Sequence, residues 1–116
     1  MGLHGAKTFS TFVLGLPAAT ISAQWEAQVA KVGGKVFALL GDDRGHIAFK
    51  VTELAFEGLT GLDGIAQAPY FAKGGWVSVS KGADISDADL KAYLKESHRL
   101  VAAKLTRKLR AELGLD

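Results

Sequence analysis

Two glycines, Gly33 and Gly34, separate two runs of strand-forming residues, and this pattern constrains the fold more than any other feature of the sequence. A Gly-Gly pair between such runs is typical of a two-residue β-hairpin turn, because glycine reaches positive φ without a steric penalty. The runs cover residues 28–32 and 35–40. The sequence therefore predicts two adjacent antiparallel strands. We interpret Gly33, Gly34 and Lys35 as their turn rather than as a phosphate-binding loop.

Further strands are predicted on both sides of this hairpin. Residues 20–25 are compatible with a strand, and Ile47, Phe49 and Val51 alternate with less apolar residues, as expected of a half-buried strand. A turn-rich segment at residues 41–45 separates this strand from the hairpin. These elements predict an antiparallel meander of three or four strands. Residues 61–68 are predicted to form a loop, and residues 70–80 a second β region interrupted by two glycines.

Helices are predicted before, between and after the strands. Phe9, Phe12, Val13 and Leu16 recur at helical spacing in the first. Thr52 is placed to cap a short second helix that ends near residue 60. A capping pattern at residues 86–89 opens a long helix, and residue 106 restarts it after a break. The apolar stripe of this last region consists of Leu90, Leu94, Val101, Leu105 and Leu109.

The order of elements predicts an α+β fold for residues 1–116 as one domain. The architecture expected is a two-layer α/β sandwich, with an antiparallel sheet and its helices on one face. The 116 residues include no cysteine, which excludes disulfides and thiol chemistry. No apolar run approaches the length of about 20 residues needed to span a bilayer. We expect a cytoplasmic protein with no membrane partner.

No pattern in the chain indicates catalysis. His4, His46 and His98 lie in different predicted elements, without the spacing of metal ligands. The sequence contains neither a nucleophile elbow nor a phosphate-binding glycine loop. We expect no enzymatic activity, no catalytic residue, no cofactor and no metal.

Charge is unevenly distributed along the chain. Residues 42–90 contain eight acidic and four basic residues, whereas residues 91–116 contain seven basic and three acidic ones. Basic side chains on a helix can bind a phosphate backbone without reading its sequence, although an ordinary solvated helix face has the same composition. The predicted nucleic-acid-binding residues are Arg44, Lys73, Trp76, Arg99, Lys104, Arg107, Lys108 and Arg110.

The second face of the sheet is the other candidate surface. Val77 and Val79 form the natural core pair of their strand, which directs Trp76 to the outer face. An outward tryptophan could stack on a base, cover the sheet edge or contribute to a dimer interface. The alternative function is therefore a protein-interaction or small-ligand-binding module on the outer face around Trp76 and Phe37. The chain is expected to be a monomer or a weak homodimer.

Five segments, at residues 31–38, 48–51, 68–70, 74–79 and 97–105, resemble the MmcQ/YjbR family in the order in which they occur. The resemblance implies a fold similar to bacterial frataxin, CyaY, and to a "double wing" DNA-binding domain, with double-stranded DNA as the partner. His98 and Thr106 depart from the family pattern, in which tyrosine and proline are expected. The frataxin likeness also raises iron binding. The first helix contains no acidic residue, so that function is not expected here.

Overall fold

The computed structural model describes residues 2–24, 26–41, 46–69, 71 and 73–115. These residues form helices and strands in an order close to the prediction. The helices are α1 (Ala6–Leu14), α2 (Glu53–Thr60), α3 (Asp87–Ala102) and α4 (Arg107–Glu112). The strands are β1 (Ala19–Gln24), β2 (Ala27–Val32), β3 (Lys35–Gly41), β4 (Ile47–Lys50), β5 (Ile65–Gln67) and β6 (Trp76–Val79).

The strands form one antiparallel sheet in the order β1-β2-β3-β4-β6-β5. The first four follow chain order, which confirms the predicted meander and its hairpin. The predicted loop at residues 61–68 is wrong in part, because β5 lies within it and pairs Ile65 with Val79. Three residues are too few for an alternating pattern to be visible in the sequence. Among the described residues of the predicted β region at residues 70–80, β6 is the one strand.

One face of the sheet packs against the helices, which confirms the α+β sandwich. α1 and α3 lie against β1 to β4, and their buried side chains include Phe9, Val13, Leu90 and Leu94. The predicted caps are present: Ser86 Oγ accepts a hydrogen bond of 3.1 Å from the backbone of α3. Thr52 and Thr106 begin α2 and α4 in the same way.

A β-bulge in β3 explains why apolar and polar residues do not alternate along residues 36–40. Ala30 pairs with Ala38 but the next residue of β2, Lys31, pairs with Val36, so Phe37 is an extra residue. Phe37 and Ala38 therefore both enter the helix-side core, where neither is exposed. The bulge leaves Val36 on the opposite face of the sheet.

Two polar side chains attach the end of α3 to the rest of the fold. The buried Ser97 hydroxyl donates to Lys50 O at the end of β4, over 2.6 Å. His98 Nε2 lies 2.7 Å from Pro17 O, which can only accept, so the ring nitrogen donates. The His98 ring also packs edge-on against Phe37. These contacts determine where the basic C-terminal segment lies relative to the sheet.

The hairpin turn provides a first prediction. Gly33 has a φ of +58°, and a Cβ there would lie 2.6 Å from Leu105 Cδ1, whereas Gly34, at φ +80°, has no atom within 4 Å of that position. Both Gly33→Ala and Gly34→Ala strain the backbone. Only the first also displaces a buried leucine, so its unfolding free energy should fall by about 1–3 kcal/mol more. Urea unfolding measures the difference, and equal losses would contradict the packing of Leu105 on this turn.

A second prediction concerns the attachment of α3 to β4. Ser97→Ala leaves the Lys50 carbonyl without its partner in a buried site, and should lower the unfolding free energy by about 1–3 kcal/mol. Ser10→Ala is the matched control, because the Ser10 hydroxyl donates an exposed hydrogen bond within its own helix, to Lys7 O. Its effect should stay within about 0.5 kcal/mol. Thermal or urea unfolding of both variants tests the contrast, and a neutral Ser97→Ala would contradict it.

Candidate functional site

Three connections of the chain meet at one end of the sheet, which we call the hairpin end because it contains the turn between β2 and β3. Leu105, in the connection between α3 and α4, packs against Gly33 of that turn. Gly75, in the connection that leads into β6, accepts a 2.9 Å hydrogen bond from Val51 N, just after β4. These contacts bring segments far apart in sequence to a common end of the sheet.

Basic side chains are concentrated at the hairpin end. Exposed bases lie in or immediately after each of the three connections: Lys35, Lys73, Lys104, Arg107 and Lys108. None of these five forms a salt bridge with another described residue. Two half-buried lysines, one in β2 and one in β4, lie at the same end of the sheet. The hairpin end therefore combines unpaired positive charge from strands, turns and helices.

Four of the sequence-predicted site residues are exposed bases at this end that form no salt bridge with another described residue: Lys73, Lys104, Arg107 and Lys108. Lys35 belongs with them but was absent from the prediction. Its position immediately after the glycine pair, read together with the hairpin register, is the signal that could have identified it. Helical spacing alone cannot reveal a strand residue beside a helical one, because the two are joined only by tertiary packing.

Arg99 and Arg110 are engaged in contacts of their own. Arg99 forms a bidentate ion pair with Glu96, one turn earlier in α3. Its Nε donates to Glu96 Oε1 over 2.7 Å, and its Nη2 donates to Glu96 Oε2 over 2.6 Å. Hydrogen bonding from the Arg99 guanidinium lowers the pKa of the Glu96 carboxyl, and the Glu96 carboxylate raises the pKa of Arg99 in return. The Arg110 guanidinium donates to Ala103 O over 3.2 Å, which links α4 to the end of α3.

Trp76 lies on the outer face, as its alternation with Val77 and Val79 predicted, but only 7% of it is exposed. Its ring stacks on Phe71, with centroids 4.2 Å apart and planes inclined by 19°. The ring is therefore already stacked within the protein. The expectation that Phe37 shares this face is wrong, because the bulge in β3 turns Phe37 into the core.

Arg44 lies outside the described residues. The residues that flank its segment, Gly41 and His46, are at the opposite end of the sheet from the hairpin end. We call this the far end. Exposed acidic residues occupy its turns and the start of α3, and no salt bridge among the described residues neutralises them: Glu26, Asp63, Asp84, Asp87 and Asp89. Exposed bases therefore predominate at the hairpin end of the sheet, and exposed acids predominate at the far end.

Within the described ranges, no three His, Asp or Glu side chains are arranged to hold a metal ion. His4 and His98 instead bond to main-chain carbonyls, at distances of 3.0 and 2.7 Å. None of the helices in those ranges is long and apolar enough to cross a membrane.

Two solved structures share this architecture. A Deinococcus radiodurans protein with a DUF419 domain superposes with a TM-score of 0.85 at 25% sequence identity, covering 95% of this chain and 88% of that one. A Pseudomonas syringae protein superposes with a TM-score of 0.70 at 18% identity, covering 83% of this chain and 97% of that one. The second likeness demonstrates the fold alone.

No curated protein matches the sequence. The family model named YjbR matches residues 14–100, from the end of α1 to near the end of α3. That range contains the whole sheet and most of the long helix, and it agrees with the resemblance carried by the five sequence segments. The chain is thus a member of the YjbR family.

Proposed function

We propose that this protein is a non-enzymatic cytoplasmic domain that binds double-stranded DNA through its phosphates. The observation that carries the proposal is the convergence of unpaired bases from three connections at the hairpin end. The core of this surface is Lys35, Lys73, Lys104, Arg107 and Lys108. Phosphates accept such contacts without regard to base sequence, so the binding is sequence-independent.

The charge separation along the sheet supports an oriented mode of binding. The acidic far end is repelled by a polyanion while the hairpin end is attracted, so the strands point with their hairpin end toward the duplex. Trp76 has no direct base contact in this proposal, because Phe71 already covers its ring. Arg99 is not counted among the five phosphate-binding side chains, because its guanidinium is paired with the Glu96 carboxylate.

The proposal predicts binding with a steep salt dependence. If about five phosphates are neutralised, the association constant should fall about 500-fold between about 50 and 200 mM salt. Fluorescence anisotropy of a labelled duplex measures this change. Duplexes of unrelated sequence should bind equally well. Absence of binding at micromolar protein in low salt, or affinity that does not change with salt, would overturn the proposal.

Charge-removal variants locate the surface. The double variant Lys104→Gln/Lys108→Gln should reduce the slope of log K against log salt by about 2 and weaken binding at low salt. Its matched control is Lys7→Gln/Lys81→Gln, which removes the same charge from exposed positions at the far end. Equal effects of the two doubles would mean that net charge alone, and not the hairpin end, governs binding.

The ion pair in α3 provides a further prediction for the same assay. Glu96→Gln releases the Arg99 guanidinium and should tighten duplex binding, because one more basic side chain can then bind a phosphate. Asp84→Asn makes the same change in net charge at the far end and should produce a smaller gain. If Asp84→Asn tightens binding as much as Glu96→Gln, Arg99 does not belong to the DNA-binding surface.

A further inference from the structure

β1 is one edge of the sheet, and it lacks the features that normally stop an edge strand from pairing with another chain. Such features are charged side chains, proline, a bulge or very short length. The six residues of β1, Ala19–Gln24, include no charged residue and no proline, and their register with β2 is continuous. The opposite edge strand, β5, has only three residues. β1 is therefore the edge that can accept a further strand.

The turn between β1 and β2 shows which backbone groups of β1 point away from β2. Gln24 pairs with Ala27 across a two-residue turn, and a pair in that position exchanges both of its backbone hydrogen bonds. In an antiparallel pair, every second residue bonds to the neighbouring strand. The residues of β1 whose backbone N–H and C=O groups face the free edge are consequently Ala19, Ile21 and Ala23.

One hydrogen bond confirms this assignment. The Ala19 N–H donates to Leu16 O over 3.2 Å, so it points away from β2, as the alternation requires. Among the described residues, no backbone group of a turn or loop bonds to Ile21 or Ala23. The N–H and C=O groups of these two residues are therefore available to a strand of another molecule.

The Ser22 side chain is a further unsatisfied group on this strand. Its hydroxyl oxygen is buried and forms no hydrogen bond within the described part of the chain. Ser22 pairs with Val29 and Val29 with Leu39, which lies on the outer face, so Ser22 projects from that face. A buried hydroxyl without a partner is destabilising. Rotation about χ1 can direct it toward a strand beyond β1.

We propose that β1 pairs with β1 of a second copy of this chain, antiparallel and with Ser22 opposite the partner's Ser22. In this register Ile21 lies opposite the partner's Ala23, and the two equivalent pairs exchange two backbone hydrogen bonds each. All of these bonds use groups that are free in the single chain. A register centred on Ile21 would instead need the Ala19 N–H, which already donates to Leu16 O.

The proposed pairing also uses the side chains on both faces of β1. The Ser22 pair lies on the two-fold axis and is a non-hydrogen-bonded backbone pair, with Cα atoms about 4.5 Å apart. Hydroxyl side chains at such a pair can bond to each other across the strands. On the helix side, the half-buried Ile21 packs beside the partner's Ala23, which is exposed in the single chain. The dimer thus satisfies the hydroxyl and buries apolar area.

Charge favours the antiparallel arrangement over a parallel one. Lys31 lies opposite Thr20, toward the hairpin end, whereas Glu26 lies in the β1–β2 turn at the far end. The two-fold axis brings Lys31 and the partner's Glu26 to the same end of the paired strands. A parallel pair would bring like charges together at each end. This dimer goes beyond the proposed DNA-binding function and does not rest on it.

Single-cysteine variants of the full chain test the register directly, because the sequence contains no cysteine. Ser22→Cys places two thiols across the two-fold axis at a Cα separation of about 4.5 Å, within the range for a disulfide, and should form a covalent dimer with oxidised glutathione. Thr20→Cys is the matched control on the same face of β1. Its two copies are about 14 Å apart in this register, so it should remain a monomer on a non-reducing gel. Equal cross-linking of the two variants, or none of either, would overturn the proposal.

A charge on the paired edge tests the dimer without oxidation. Sedimentation equilibrium of the full chain should show a reversible dimer with a dissociation constant below about 1 mM, as for a small interface. Ala23→Lys places an ammonium group beside the partner's Ile21 and should raise that constant about tenfold or more.

Ala66→Lys is the matched control for this charge. It adds the same charge at an exposed position in the other edge strand, β5, and should change the dissociation constant by less than about twofold. Circular dichroism verifies that both variants are folded. A chain that stays monomeric at about 1 mM, or equal effects of the two lysines, would contradict pairing through β1.

Discussion

The bulge at Phe37 is the constraint on which the rest of the molecule depends. One extra residue in β3 lets Phe37 and Ala38 both enter the helix-side core, where His98 of α3 packs against the Phe37 ring. The same bulge leaves Val36 on the outer face, packed against the cluster of Ala48, Ala68 and Trp76. Without the bulge, strict alternation would place Phe37 on the outer face of the sheet. The Phe37–His98 ring contact that orients the end of α3 would then be lost.

The orientation of α3 determines where charge accumulates. α3 begins at the acidic far end. The carboxylates of Asp87 and Asp89 in its first turn interact favourably with the positive end of the helix dipole. It ends at the hairpin end, where Ser97 and His98 bond to the backbone of the sheet and the α1–β1 connection. The basic segment that follows is consequently held beside the β2–β3 turn. The orientation of α3 thus places the acids of its first turn at one end of the sheet and the basic segment that follows it at the other.

Local patterns predicted most of the fold. The glycine pair, the alternation in β4, and the caps at Ser86 and Thr106 each depend on neighbours in sequence, and each was confirmed. β5 was missed because three residues carry no periodicity. The outward position of Trp76 followed from parity, but its partner Phe71 did not, because that contact joins a loop to a strand. Lys35 was missed as a site residue for the same reason: its basic neighbours come from other elements.

By itself, the sequence determined the hairpin and the caps that begin α2, α3 and α4, since turns and caps depend on neighbouring residues. The α+β class and membership of the YjbR family followed from the order of such segments along the chain. Only the tertiary structure decided that Lys35, Lys73 and Lys104 lie at one end of the sheet while the acids lie at the other. It also decided that the uncovered face is recessed along the row of Ala48, Ser78 and Ala66. The physical reason is that strand register and the packing of α3 set these distances, and both depend on contacts between residues far apart in sequence.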